Sequence, residues 1–233
     1  MVRVTILFAG GGQTRDLEPI LDRFADAVSA AGAQRVAVIS GGGHDHAQLC
    51  EWLGARMQLG FALELRRDAF GAVAAPDAAE LLGCDAVVIS GDTPAAVLKG
   101  LEHRIVDLRR IVHEGAPYLG IDAGAAVAGE VAWLGGNAIG DVVVAPGNGG
   151  ELTLGAGLGL VDLVVIPDAA ASGRIGLGVA AIEAGLCDRI IGIDAHTALE
   201  ASDRGLTVHG TGSVWQLTGR DDAVAVSTMR AAE

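Results

Sequence analysis

The chain has 233 residues, 51% of them hydrophobic, enough for one large α/β domain with a sizeable core. Aromatic residues make up only 3% against 35 glycines, so Val, Ile, Leu and Ala must fill that core. A net charge of −13 argues against nucleic acid and against an anionic membrane surface as partners.

Short apolar runs alternate with amphipathic segments along the first two-thirds. Residues 4–9 read as a strand ending in Gly10-Gly11-Gly12. Residues 18–31 have helical spacing, with Ile20, Leu21, Phe24 and Val28 on one face. Residues 35–40 form a second strand, closed by Gly41-Gly42-Gly43, and a short helix covers 47–53. A third strand is expected near 61–65, a helix over 76–82 and a wholly buried strand over 86–90. Pro94 suits the first position of a helix that runs to about His113, and residues 118–121 form the next strand. After a glycine- and valine-rich stretch over 136–160, with a turn at 146–150, residues 163–166 read as a strand and 175–184 as a helix. Residues 189–193 form a further strand, and 206–209, 214–217 and 223–226 alternate like a meander.

The alternation predicts a mostly parallel sheet flanked by helices on both faces, with a C-terminal β meander, in one domain spanning residues 1–233. Ligands in such folds bind at the carboxyl ends of the strands. Here those ends carry residues 10–12, 41–46, 90–93 and 120–125, which should converge on one pocket.

Within that set, Gly120-Ile121-Asp122-Ala123-Gly124-Ala125 is the most informative run. A strand, one reactive residue and then small residues opening a helix is the pattern of a nucleophile elbow, and here the reactive residue is a carboxylate. Three cysteines, Cys50, Cys84 and Cys187, form no C-x-x-C pair, which points to free thiols in a reducing compartment. No segment reads as a signal peptide or a membrane span, so the expected location is the cytoplasm. Neither glycine run fits a dinucleotide or P-loop motif, and no cofactor is expected.

Several segments, in order along nearly the whole chain, resemble the cyanophycinase and aspartyl dipeptidase family of serine peptidases. Residues 120–129 (GIDAGAAVAG) are similar to the family's G-x-S-A-G-A elbow, and 86–93 (AVVISGDT) to its strand with a Gly-Gly-Asp-Gln loop. Residues 157–160 (GLGL), 163–176, 191–199 (IGIDAHTAL) and 208–217 (VHGTGSVWQL) resemble its later segments. The resemblance implies a class I glutamine amidotransferase-like fold, a small-molecule or peptide-derived substrate, and a homodimer. It also implies that Asp122 stands at the serine position and that the general-base histidine falls near Asp168. Ala195 takes the place of the orienting acid, and Ser172 that of an arginine. Ordinary serine-peptidase chemistry needs all three triad groups.

We therefore take Asp122, Asp168 and His196 as candidate catalytic residues, and Gly11, Gly91, Asp92, Thr93, Ala123 and Arg174 as candidate substrate-binding residues. Asp122 has four readings: a carboxylate nucleophile, one half of an acid/base pair with Asp168, a metal ligand with Asp168 and Asp92, or a cap on its own helix. No metal is the expected outcome. His44-Asp45-His46 could ligate a metal, but reads more simply as loop histidines with Asp45 capping a helix. The leading expectation is thus an enzyme with altered chemistry on a small amide- or amino-acid-derived substrate. Its alternatives are an inactive homologue that binds a small molecule or partner, and a peptidase whose nucleophile is Ser90, Thr93 or Ser172.

Overall fold

The computed structural model describes residues 4–42, 46–65, 73–147 and 149–232. Its centre is a seven-stranded sheet. Five of its strands are parallel: β1 (Ile6–Ala9), β2 (Arg35–Gly41), β3 (Gln58–Glu64), β4 (Ala86–Gly91) and β5 (Tyr118–Ile121). The helices between them are α1 (Glu18–Ala30), α2 (His46–Gly54), α3 (Ala78–Leu82), α4 (Pro94–Leu101) and α5 (Ile105–His113), and α6 (Ala123–Ala126) follows β5 directly.

Period-2 alternation explains the packing, because each central strand is buried on both faces. Ile6, Phe8, Ala37, Ile39, Val87, Ile89 and Tyr118 pack on one side, with Leu81, Val97, Leu101, Leu108 and Val112 from α3–α5. Leu7, Val36, Val38, Val88 and Leu119 face the other way, onto Ile20, Leu21, Phe24 and Val28 of α1 and Leu49 and Leu53 of α2.

The later chain adds β6 (Val131–Gly135), β7 (Ala138–Ile139), β8 (Val142–Val143) and β9 (Thr153–Ala156), which form two small antiparallel pairs, β6 with β9 and β7 with β8. Then come β10 (Val164–Pro167), α7 (Arg174–Glu183), β11 (Arg189–Ile193), β12 (Thr197–Ser202), β13 (Gly205–Gly210), β14 (Val214–Arg220) and β15 (Ala223–Met229). The large sheet runs β13-β12-β1-β5-β4-β2-β3, and a second sheet runs β10-β11-β14-β15. Leu177, Ala181 and Ile182 of α7 cover that second sheet at Val164, Ile166, Ile190 and Leu217.

The mostly parallel α/β class stands, and the details differ in several places. The strands read as one meander are shared between sheets: β13 joins the large sheet through β12, while β14 and β15 extend the small one. Gly210-Thr211-Gly212 makes the switch, and Gly210 takes φ 98° against the His196 carbonyl. The helix expected from Pro94 to His113 breaks at residues 102–104, where Arg104 Nε donates 2.9 Å to the Pro76 carbonyl. The third strand begins earlier than expected, at Gln58.

Candidate active site

β5 is buried along its whole length and delivers Asp122 to the carboxyl edge of the large sheet. The Asp122 amide donates 3.0 Å to the Ala9 carbonyl, locking the turn to β1. Its carbonyl accepts from Ala125 and Ala126 at 2.8 and 2.9 Å, which starts α6. Between these anchors Asp122 is forced to φ 51°, ψ −111°, a conformation non-glycine residues rarely hold. Such a turn leaves no room at its shoulders. A Cβ at Gly124 would stand 1.9 Å from the Ile89 carbonyl oxygen, and one at Gly120 would lie 2.6 Å from the Gly124 carbonyl carbon. The small residues of the run are therefore steric requirements of a nucleophile elbow.

Among the described residues, three non-glycines have positive φ: Asp122, Asp168 at 48° and His196 at 55°. Asp122 and Asp168 directly follow β5 and β10, and His196 lies in the turn between β11 and β12; strain of this kind concentrates at functional sites.

Other contacts draw these strand ends together. A Cβ at Gly11 would stand 3.6 Å from Asp122 Cβ and 3.7 Å from Oδ2, so Gly11 keeps that flank of the carboxylate open. A Cβ at Gly12 would come within 2.5 Å of His196 Cδ2. The His196 amide donates 2.9 Å to the Gly11 carbonyl, and His196 Nε2 lies 3.9 Å from Asp16 Oδ2. Asp92 approaches from β4, its Oδ1 3.3 Å from the Cβ position of Gly42 and accepting 2.9 Å from Thr93 Oγ1.

The electrostatics join the same residues. Burial pushes the Asp122 carboxyl from its ordinary 3.8 to about 6; Arg174 opposes this, while Asp168 and Asp92 add to it. Asp168 is also raised, first by burial and then by Asp194, with Arg174 and His196 opposing. Burial thus raises both carboxyl groups, and the Arg174 charge opposes the rise in each. The Asp122 side chain makes no capping bond to α6 and accepts no hydrogen bond from any described residue. The helix-cap reading of Asp122 is thereby removed.

Comparison with solved structures gives the same architecture. A crystal structure of a peptidase from an acI-B1 Actinobacterium matches with a TM-score of 0.60 at 18% identity, over 99% of this chain and 96% of that one. A putative peptidase E protein from Listeria monocytogenes EGD-e matches with a TM-score of 0.57 at 14% identity, over 91% of this chain and all of that one. The chain has a peptidase E-like fold. By sequence, no family model and no curated protein matches it.

Within the peptidase E-like fold, the remaining candidates fall as follows. Gly91 ends β4 at φ 146°, its α-carbon packed so closely on Gly41 that a Cβ would meet Gly41 Cα at 2.9 Å. Ala123 opens α6, but its side chain is fully buried in the core, so only its main chain is placed to meet a ligand. Arg174 opens α7 behind Gly173, at φ 69°, and its amide donates 3.0 Å to the Ala169 carbonyl.

The alternative nucleophiles are all engaged elsewhere. Ser90 is fully buried with its Oγ 2.9 Å from Ser40 Oγ, Thr93 is tied to Asp92, and Ser172 Oγ donates to the Asp168 carbonyl. His44 and Asp45 lie outside the described residues. His46 is not a free loop histidine, since its Nδ1 sits 2.7 Å from Ser40 Oγ. No group of three or more His, Cys, Asp or Glu with metal-binding geometry occurs among the described residues.

Two residues of the neighbourhood went unremarked in the sequence. Asp194 was visible as a third acid at a strand end, directly after β11, whereas nothing in the sequence marks Asp16. A cleft of about 340 Å³ borders Gln34 and Gln58 at the opposite, amino ends of β2 and β3. Its one charged lining residue is Arg56, so it offers no acid/base pair to compete with this site.

Proposed function

We propose that this chain is a single-domain enzyme of hydrolase type that cleaves a small amide- or amino-acid-derived substrate, with Asp122 at the position where related peptidases carry serine. The observation that carries the reading is the state of Asp122: strained at the elbow, uncapped, and with a pKa near 6. A carboxyl group in that range exchanges protons efficiently at neutral pH.

Asp168, as carboxylate, takes a proton from water while the water oxygen bonds to the substrate carbonyl carbon. Asp122, as carboxylic acid, gives its proton to the leaving nitrogen as the C–N bond breaks. The products are a carboxylic acid and an amine, and solvent exchange returns both aspartates to their starting states. Arg174 supplies the positive charge for a substrate carboxylate or for the developing oxyanion. Gly11 leaves room for the substrate beside Asp122, Gly91 packs the end of β4 against Gly41, and His196 and Asp92 border the site.

Three free cysteines accord with a reducing, cytoplasmic setting. No helix among the described residues is long and apolar enough to cross a membrane.

The test is a panel of aspartyl, β-aspartyl and glutamyl dipeptides and simple acyl amides, assayed with the parent protein and with Asp122→Asn. Turnover by the parent, falling about 10²-fold or more in the variant while its circular dichroism is unchanged, supports the reading. Binding of panel compounds without turnover in the parent makes the protein a silent binder instead. Labelling of the parent by a fluorophosphonate would mean that a serine is the nucleophile.

A further inference from the structure

α1 and β12 meet over a charge that the elbow site does not use. Glu200 of β12 is only 5% exposed. Arg23 of α1 grips its carboxylate with two nitrogens, Nε 2.7 Å from Oε2 and Nη2 2.6 Å from Oε1. His209 of β13 brings Nε2 to 2.8 Å from Oε2. Burial alone would raise the Glu200 carboxyl, but the bonds from Arg23 and His209 hold it below its ordinary 4.5, so it is ionised at neutral pH. Apolar side chains often fill such a place at no greater cost, so a buried ion pair invites the question of what it serves.

A cavity of about 140 Å³ opens onto this pair. It lies at the amino end of β1, between the end of α1 and the β12–β13 turn, whereas Asp122 stands at the carboxyl edge of the same sheet. Arg23, Glu200, Asp203 and Arg204 line it, two positive and two negative side chains, with Ala27 and Ala30 of α1 as an apolar wall. Sites for drug-sized molecules run to about 300–1,000 Å³, so this one admits a ligand of only a few heavy atoms.

The lining keeps bonding capacity of both signs. Arg23 spends Nε and Nη2 on Glu200 and retains Nη1. The Arg204 side chain has no hydrogen bond or ion pair with any described residue; only its amide is tied, donating 3.3 Å to Ser202 Oγ. Two guanidinium groups can therefore take up a carboxylate. Glu200 Oε1 accepts one hydrogen bond from the described residues, which leaves it a lone pair for an ammonium group. A simple anion entering here would meet two carboxylates, and a simple cation two guanidinium groups. A molecule that carries both charges close together satisfies each side.

We propose that this cavity binds a small free α-amino acid such as glycine or alanine, its carboxylate on Arg23 and Arg204 and its ammonium group on Glu200. The site is separate from the elbow and does not depend on the reaction proposed there.

Isothermal titration calorimetry of the purified chain with glycine and L-alanine tests this. The parent should bind one equivalent of each with a dissociation constant of about 1 mM or below. Acetate and methylamine, which each carry half of the charge pattern, should bind about tenfold more weakly or worse. Arg204→Ala should weaken L-alanine about tenfold or more, and Arg204→Lys, which keeps the charge, should fall between. Asp122→Asn should bind as the parent does. A parent that binds neither amino acid overturns the proposal. So does binding that Arg204→Ala leaves unchanged, or that acetate or methylamine matches. Binding lost in Asp122→Asn also overturns it, because the amino acid would then sit at the elbow. If circular dichroism shows that Arg204→Ala misfolds, Ala30→Leu decides, since it narrows the cavity without touching a charge and should abolish binding.

Discussion

The indole Nε1 of Trp215 donates a 2.9 Å hydrogen bond to Asp194 Oδ1. The same carboxylate accepts from the Ser213 amide at 2.9 Å and the Ala170 amide at 3.3 Å. It thus ties the start of β14 and the turn after β10 to the end of β11. Asp168 stands in that second turn and feels the Asp194 charge. Trp215→Phe keeps an aromatic ring but removes the donor, and should lose about 1.5–3 kcal/mol in urea unfolding, the usual worth of a hydrogen bond to a charged group. Asp194→Asn removes the charge. Carboxyl-carbon NMR titration should then show Asp168 titrating at lower pH than in the parent; an unchanged value would mean that Asp194 does not act on Asp168.

Asp122 makes stability depend on pH in a definite direction. Its carboxyl keeps its proton to about pH 6 in the folded chain but loses it near 3.8 when unfolded. Between those values the folded state binds more protons than the unfolded one, so stability falls as pH rises. The loss approaches about 3 kcal/mol above pH 6, at 1.36 kcal/mol for each tenfold change in proton affinity. Asp122→Asn escapes it. The variant should be more stable than the parent at pH 7.5 and closely matched at pH 4, as judged by urea midpoints at the two values. A variant less stable than the parent at pH 7.5 would show that the ionised carboxylate is a favourable part of the fold.

Gly124→Ala tests the elbow itself. The new Cβ would lie 1.9 Å from a main-chain oxygen, and neither side can yield without moving β4 or α6. A loss of about 3 kcal/mol or more in thermal or urea unfolding is expected. Gly54→Ala is the control, because its Cβ meets only Leu59 at ordinary contact distance, 3.5 Å. In a helix that change should gain about 0.5–1 kcal/mol.

Much of the fold could be read from the sequence because the central strands are buried on both faces. Val87–Ile89 sits at zero exposure, and burial of that kind leaves an unbroken apolar run. The elbow was legible for a related reason: close backbone approach demands small residues, and glycine and alanine announce it. β12 was not legible. Its sequence, TALEAS, lacks clear alternation and has one β-branched residue, Thr197. It becomes a strand because β1 and β13 pair on either side of it, and because Arg23 and His209 satisfy its buried Glu200 at 2.6–2.8 Å. The break between α4 and α5 escaped notice because Glu102-His103-Arg104 holds no glycine or proline; a tertiary bond from Arg104 makes it. In the site, Asp122 was found from its elbow, while Asp168 and His196 were placed through the family resemblance. Asp194, which raises Asp168, was overlooked although it stands directly after β11.

β1 is the first strand among the described residues, yet it lies inside the sheet, where Ile6 pairs with Tyr118 on one flank and with Ala201 on the other. Both partners are distant in sequence, and closing loops of that length is entropically slow to achieve. On the ribosome, the strand that carries Gly10 to the site must wait with one flank unzipped until β12 emerges. The last third of the chain is in this sense the keystone of the first. The carboxyl edge that bears Asp122 takes its final shape only after the translated chain has passed His196, so no shorter nascent chain can present the assembled site.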